Sequence, residues 1–159
     1  MAIPLHGRIL AVDWGEVRLG LALSDETQTI AAPLEVLIRR PGKRFPMPPF
    51  LALVGQHHPV GVVVGLPLLP SGEEGPAAAR ARELAALLGR RTGLPVVLHD
   101  ERMSTARALG AIREMGGSPR DKKGQVDALA AAVVLQHFLE SRRAASGSTA
   151  RRGEGVPDS

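Results

Sequence analysis

The chain contains no cysteine and no tyrosine, and asparagine is missing as well. Without thiols there is no disulfide framework, no thiolate-held zinc, no iron–sulfur cluster and no cysteine nucleophile, so oxygen or imidazole must hold any metal. Long apolar runs are lacking too. No stretch approaches the ~18–20 residues that span a bilayer, and Met1 to Gly7 has no apolar signal core. These absences lead us to expect a soluble, cytoplasmic protein. Lysine is scarce, limited to Lys43, Lys122 and Lys123. Almost nothing then titrates between about pH 8 and 12, so the sequence pI of 10.6 exaggerates a formal net charge of only +4.

What is present is ordinary for a folded domain: 159 residues, 44% hydrophobic and 23% charged. A chain of that size buries about two-thirds of its unfolded surface around one core. Arg8 to Asp13 reads as a buried strand ending in a carboxylate. A turn at Trp14-Gly15-Glu16 leads to alternating Leu19, Leu21 and Leu23, a strand returning antiparallel. Pro33 to Ile38 is a third strand. The proline-rich stretch from Pro41 to Pro49 reads as a loop before a short helix near Phe50 to His57. Val60 to Leu66 and Pro95 to His99 are further strands, and a helix runs between them from Pro76. A helix capped at Ser104 or Thr105, the basic loop Gly117 to Gly124 and a helix from Gln125 to Ser141 follow. The order is α/β, with a mixed sheet and helices on both faces. Residues 1–141 form the domain. Residues 142–159 are rich in Ser, Gly, Ala and Arg without periodicity and are expected to form a disordered basic tail.

Two strands end at acids, Asp13 and the pair Asp100-Glu101, and parallel strands place their carboxyl ends on one rim, where ligands bind in such sheets. Asp127 lies in the first turn of the last helix and can reach that rim. Three carboxylates meeting there form a hard-oxygen site suited to Mg²⁺ or Mn²⁺. Such a site can hold two ions about 4 Å apart, one activating water and one stabilising the leaving oxygen of a phosphodiester. Taken singly, Asp13 also reads as a turn cap, Glu101 as an ion-pair partner of Arg102, and Asp127 as a charge complementing the helix dipole. Arg18 is a phosphate contact or a solvated strand charge. Arg120, Lys122 and Lys123 form the best basic cluster for nucleic acid. Trp14 can stack on a base or merely line a turn. His57, His58 and His99 lack metal-site spacing.

The run from Val12 to Asp25 resembles the opening motif of the YqgF (RuvX) family, Holliday junction resolvases related to RuvC. Three more blocks agree in the same order: Val64-Gly65-Leu66-Pro67-Leu68 with Gly72 and Gly75-Pro76, then Asp100 to Thr105, then Lys123-Gly124 with Asp127, Ala130-Ala131 and Leu135-Gln136. The resemblance implies an RNase H-like fold with a five-stranded sheet. It further implies metal-dependent phosphodiester cleavage by the acids at Asp13, Glu101 and Asp127. A basic residue usual before the first-motif arginine is Val17 here, which leaves Arg18 without a basic neighbour.

The first expectation is therefore a Mg²⁺- or Mn²⁺-dependent nuclease acting on four-way junction DNA or on precursor small-subunit ribosomal RNA. Asp13, Glu101 and Asp127 would hold metal, while Arg18, Arg102, Arg120, Lys122 and Lys123 would hold phosphates. Symmetric cleavage of a junction requires two active sites and so a homodimer. A second class is a non-catalytic RNA-binding ribosome-assembly factor. A third, an actin-like phosphotransferase, is disfavoured because those folds use two such domains.

Overall fold

The structure is a computed structural model of the chain and describes residues 2–14, 18–38, 45–100 and 128–145. Strands β1 (Ile9–Trp14), β2 (Arg18–Ser24), β3 (Ala31–Ile38), β4 (Gly61–Leu66) and β5 (Val96–Asp100) form one sheet in the order β3-β2-β1-β4-β5. β1 pairs antiparallel with β2 and β2 with β3, whereas β4 is parallel to both β1 and β5. Helices α1 (Met47–His57) and α2 (Pro76–Thr92) precede and follow β4, and a further helix occupies residues 128–145.

Both faces of the sheet are covered, which is why β1 and β4 read as unbroken apolar runs rather than alternating ones. Leu10 and Val12 of β1 and Val62 and Val64 of β4 join Phe50 of α1 and Leu84 and Leu88 of α2 in one core cluster. The intervening Ile9, Ala11 and Val63 point the other way, into a second cluster with Ala131, Ala132, Leu135 and Leu139 of helix 128–145. Small side chains on this second face, Ala11 and Ala22 against Ala131 and Ala132, let the helix backbone lie close to the sheet.

Several boundaries differ from the sequence expectation. α1 starts at Met47, inside the supposed proline loop, because prolines in a first helical turn forfeit only N–H groups that have no partner there. β3 begins at Ala31, two residues before Pro33, and its register shifts beside Leu21 and Ala22, opposite that proline. β5 extends one residue further, to Asp100. α2 matches its expected start: Gly75 is the N-cap, Pro76 follows, and Gly93 closes the helix at φ 73° with its N–H on the Gly89 carbonyl. The helix expected after Ser104 and the basic loop lie outside the described residues.

The last helix also passes the Ser141 boundary and continues to residue 145. Arg142, assigned above to the tail, belongs to the fold. Its guanidinium donates to Gln28 Oε1 (3.0 Å) and to the Ile3 and Pro4 carbonyls, and lies 5.7 Å from the Phe138 ring centroid. Gln28 is buried with φ 58° and donates in turn to the Pro4 and Gly7 carbonyls. Six residues earlier, Gln136 accepts from the Ala31 N–H (2.8 Å) and donates to the Thr29 carbonyl (3.0 Å). Asp25 holds the intervening turn through Thr27, Thr29 and Ile30. Those hydrogen bonds, the one from Thr27 first, lower its carboxyl to about 2. Hydrogen bonds to a charged group contribute about 1.5–3 kcal/mol, less where water competes. Arg142→Ala should therefore cost about 1–2 kcal/mol in urea unfolding, and truncation after Ser141 should destabilise the domain; residues 146–159 of the expected tail lie outside the described residues.

Candidate active site

Asp13 is the fifth residue of β1, not its last as expected, because Trp14 still pairs with Leu19 of β2. Side chains alternate along a strand, so Asp13 shares the face of Ile9 and Ala11, the one covered by helix 128–145, and it is half-buried at the carboxyl end of the strand. Trp14 points to the opposite face. It packs edge-on against Phe45 (centroids 6.2 Å), which stands edge-on to Phe50 (5.3 Å). The indole is thus a wall of the core under the rim and not a base-stacking platform. Arg18 opens β2 opposite Ile38 and is half-buried.

The sheet register carries Asp13 across to the other parallel strands. β1 and β4 align Val12 with Val64, so Asp13 falls beside Gly65 when the register continues by one residue. Gly65 in turn pairs with His99, and Leu66 with Asp100. The row Asp13, Gly65, His99 therefore crosses three parallel strands with no side chain at its centre. The carboxyl ends of β1, β4 and β5 form one rim, as expected.

Helix 128–145 runs away from this rim. Arg142, near its carboxyl end, is bonded to Ile3, Pro4 and Gln28 at the amino end of β1 and β4, where Ile3 abuts Gly61. The amino end of the helix, at Ala128, accordingly faces the rim that carries Asp13. Of the residues expected at the site, Asp13 and Arg18 are described. Glu101, Asp127, Arg102, Arg120, Lys122 and Lys123 lie outside the described residues. In sequence, Glu101 directly follows the end of β5 and Asp127 directly precedes Ala128.

Sequence reading missed a contact at this site. His99 Nε2 and His137 Nδ1 are 2.7 Å apart, with ring centroids at 4.9 Å, and the Phe138 ring stands edge-on to His99 at 5.6 Å. Neither histidine has a metal-ligand spacing in sequence, and only the packing of helix on sheet joins them. Among the described residues no cluster of three or more His, Asp or Glu is positioned to hold a metal ion. Burial lowers the His99 pKa below 6.5, and the His137 ring lowers it further, against an opposing pull from Asp100. The folded protein thus prefers a neutral His99. As pH falls through 6.5, the unfolded chain takes the proton first, and stability falls on that acid side. A proton NMR titration should place the His99 midpoint below that of free histidine, and His99→Gln should flatten the slope of stability against pH in the same window.

A family profile described as RuvX, Holliday junction resolvase, matches residues 7–141. The chain belongs to the RuvX family. A relative from Anaeromyxobacter sp. (strain Fw109-5), named "Putative pre-16S rRNA nuclease", is 44% identical over 137 residues, covering 86% of this chain and 99% of that protein. A relative of the same name from Clavibacter michiganensis subsp. michiganensis is 40% identical over 155 residues, covering 96% of both. Among solved structures, T. thermophilus RuvC in complex with a Holliday junction substrate superposes with a TM-score of 0.54 at 19% identity, covering 87% of this chain and 96% of that one. At that identity the likeness establishes the fold of this RuvX chain, which is RNase H-like, with the mixed five-stranded sheet and helices on both faces read from the sequence. RuvX is a nuclease family, and no helix among the described residues is long and apolar enough to cross a membrane.

Proposed function

We propose that this RuvX protein is a divalent-metal-dependent endonuclease that hydrolyses phosphodiester bonds in structured nucleic acid, with Asp13, Glu101 and Asp127 as the ligands of Mg²⁺ or Mn²⁺. The observation that carries the reading is the half-buried carboxylate of Asp13 on the carboxyl rim of β1, on the face toward which the amino end of helix 128–145 runs. Glu101 directly follows Asp100 in sequence, and strand alternation carried one residue past β5 would give it the face of His99 and Asp13. Asp127 directly precedes Ala128 in sequence, the end of the helix that faces the same rim. The donor set fits a hard cation. It is made of carboxylate oxygens, the chain has no cysteine, and Gly65 leaves the middle of the row without a side chain.

A divalent cation held by Asp13, Glu101 and Asp127 would supply an acidified water and charge neutralisation at the leaving oxygen. The chain's own work is positional. Asp13 pairs with Gly20 of β2, and the residue before it, Val12, pairs with Val64 of β4, so the carboxylate reaches the rim from a rigid element. Arg18 enters the rim from β2. Arg102, Arg120, Lys122 and Lys123 supply the remaining backbone contacts, which orient the duplex or stem without reading its sequence. No protein nucleophile is required.

The names of the curated relatives favour precursor 16S rRNA as the substrate, and the family description favours a four-way junction. A junction substrate would call for a homodimer, since two nicks need two centres. Cleavage of junction DNA and of precursor 16S rRNA should be compared with Mn²⁺, with Mg²⁺ and with chelator. We expect one substrate to be cut with either metal and neither to be cut with chelator. Binding of both substrates with no cleavage under any condition would instead identify a ribosome-assembly factor that keeps the fold without turnover.

A further inference from the structure

We infer that His99 and His137 are a positioning pair: their hydrogen bond pins the carboxyl end of β5 to helix 128–145 and so sets the spacing of the two segments that lead to Glu101 and Asp127. This rests on the metal-site reading above. The bond joins residues 38 apart in sequence at 2.7 Å, between a strand and the helix that covers it. It lies in the same cross-strand row as Asp13, beyond Gly65. Two further polar ties of this helix among the described residues, through Gln136 and Arg142, hold it to the turn before β3 and to the amino end of β1. Those ties fix where the helix sits over β1 to β3. The histidine pair fixes it over β5, the strand that carries the chain toward Glu101.

The pair is poorly suited to be a ligand site itself. A hydrogen bond between two imidazole nitrogens needs one N–H and one lone pair, so the bonded atoms are committed to each other. Phe138 closes one side of the His99 ring. Groups that orient metal ligands are worth about 10- to 100-fold in metal affinity or activity.

The test uses the full chain and Mn²⁺ titration calorimetry, with thermal melting recorded alongside. His137→Ala should weaken Mn²⁺ binding about tenfold, and His137→Gln, which keeps a group able to bond His99, should recover most of that loss. Leu135→Ala, a packing change in the same helix, should lower the melting temperature but leave Mn²⁺ affinity near wild type. If His137→Ala does not fold, His137→Phe fills the space without the bond and should show the same tenfold loss. Unchanged Mn²⁺ affinity in the folded variant lacking the bond, or an equal loss in Leu135→Ala, overturns the inference. Asp13→Ala separates the two levels. If it binds Mn²⁺ like wild type, the metal-site reading fails. If it loses binding while the His137 variants keep it, only the positioning role fails.

Discussion

Asp13→Ala should abolish cleavage while leaving a folded protein. The carboxylate stands at a strand end, half-buried, and the strand is held by ladders to β2 and β4 that do not use its side chain. Removing it should leave the melting transition close to wild type. The chemical step should slow at least about a thousandfold, equivalent to about 4 kcal/mol on the barrier. Asp13→Asn should fall nearly as far, because an amide keeps the shape but not the anionic charge that a hard cation needs. Nucleic-acid affinity measured in chelator should stay within a fewfold of wild type, since the proposed function assigns the backbone contacts to Arg18 and the basic residues and not to Asp13. A large loss of affinity with unchanged turnover would reverse the assignment of roles.

The second large effect is on stability. Phe50 is fully buried at the centre of the first core cluster and supports Phe45, which in turn supports Trp14, the residue next to Asp13. Phe50→Ala deletes a whole ring from a packed site and should cost about 3–5 kcal/mol, read as a lower urea midpoint with an unchanged slope. The loss also removes an aromatic partner from the stack beneath the rim. We therefore expect Mn²⁺ binding to weaken in this variant even at temperatures where it remains folded, and Phe50→Leu to restore most of both properties.

Much of this architecture can be read from periodicity alone. Continuous apolar runs mark β1 and β4 because both faces are covered, and alternating leucines mark β2 because the face toward helix 128–145 takes only small residues there. Proline punctuation was informative at α2 and misleading at α1, since the same residue stops a helix interior and suits a helix start. The early start of β3 was hidden by Ala31 and Ala32, which carry little strand preference. Contacts between residues distant in sequence were not legible. Arg142 looks like part of a low-complexity tail until its partners Ile3 and Pro4 are known, and His99 and His137 look like isolated histidines until helix meets sheet.

The candidate site divides in the same way. Asp13 was found because a buried strand that ends in a carboxylate is unusual, and the sheet does bring it to the carboxyl rim. The emptiness at Gly65 and the row that links it to His99 needed the register. Glu101 and Asp127 were expected from their places after a strand and at a helix start, and they stand next in sequence to the described end of β5 and to Ala128.

The central claim is that Asp13, Glu101 and Asp127 grip one hard cation together, and anomalous diffraction from crystals grown with Mn²⁺ tests it most directly. We predict a manganese peak on the carboxyl rim within about 2.1 Å of carboxylate oxygens, the distance of hard-cation coordination, with all three residues as ligands. A manganese peak elsewhere, or any one of the three side chains turned to the opposite end of the sheet, would contradict the account.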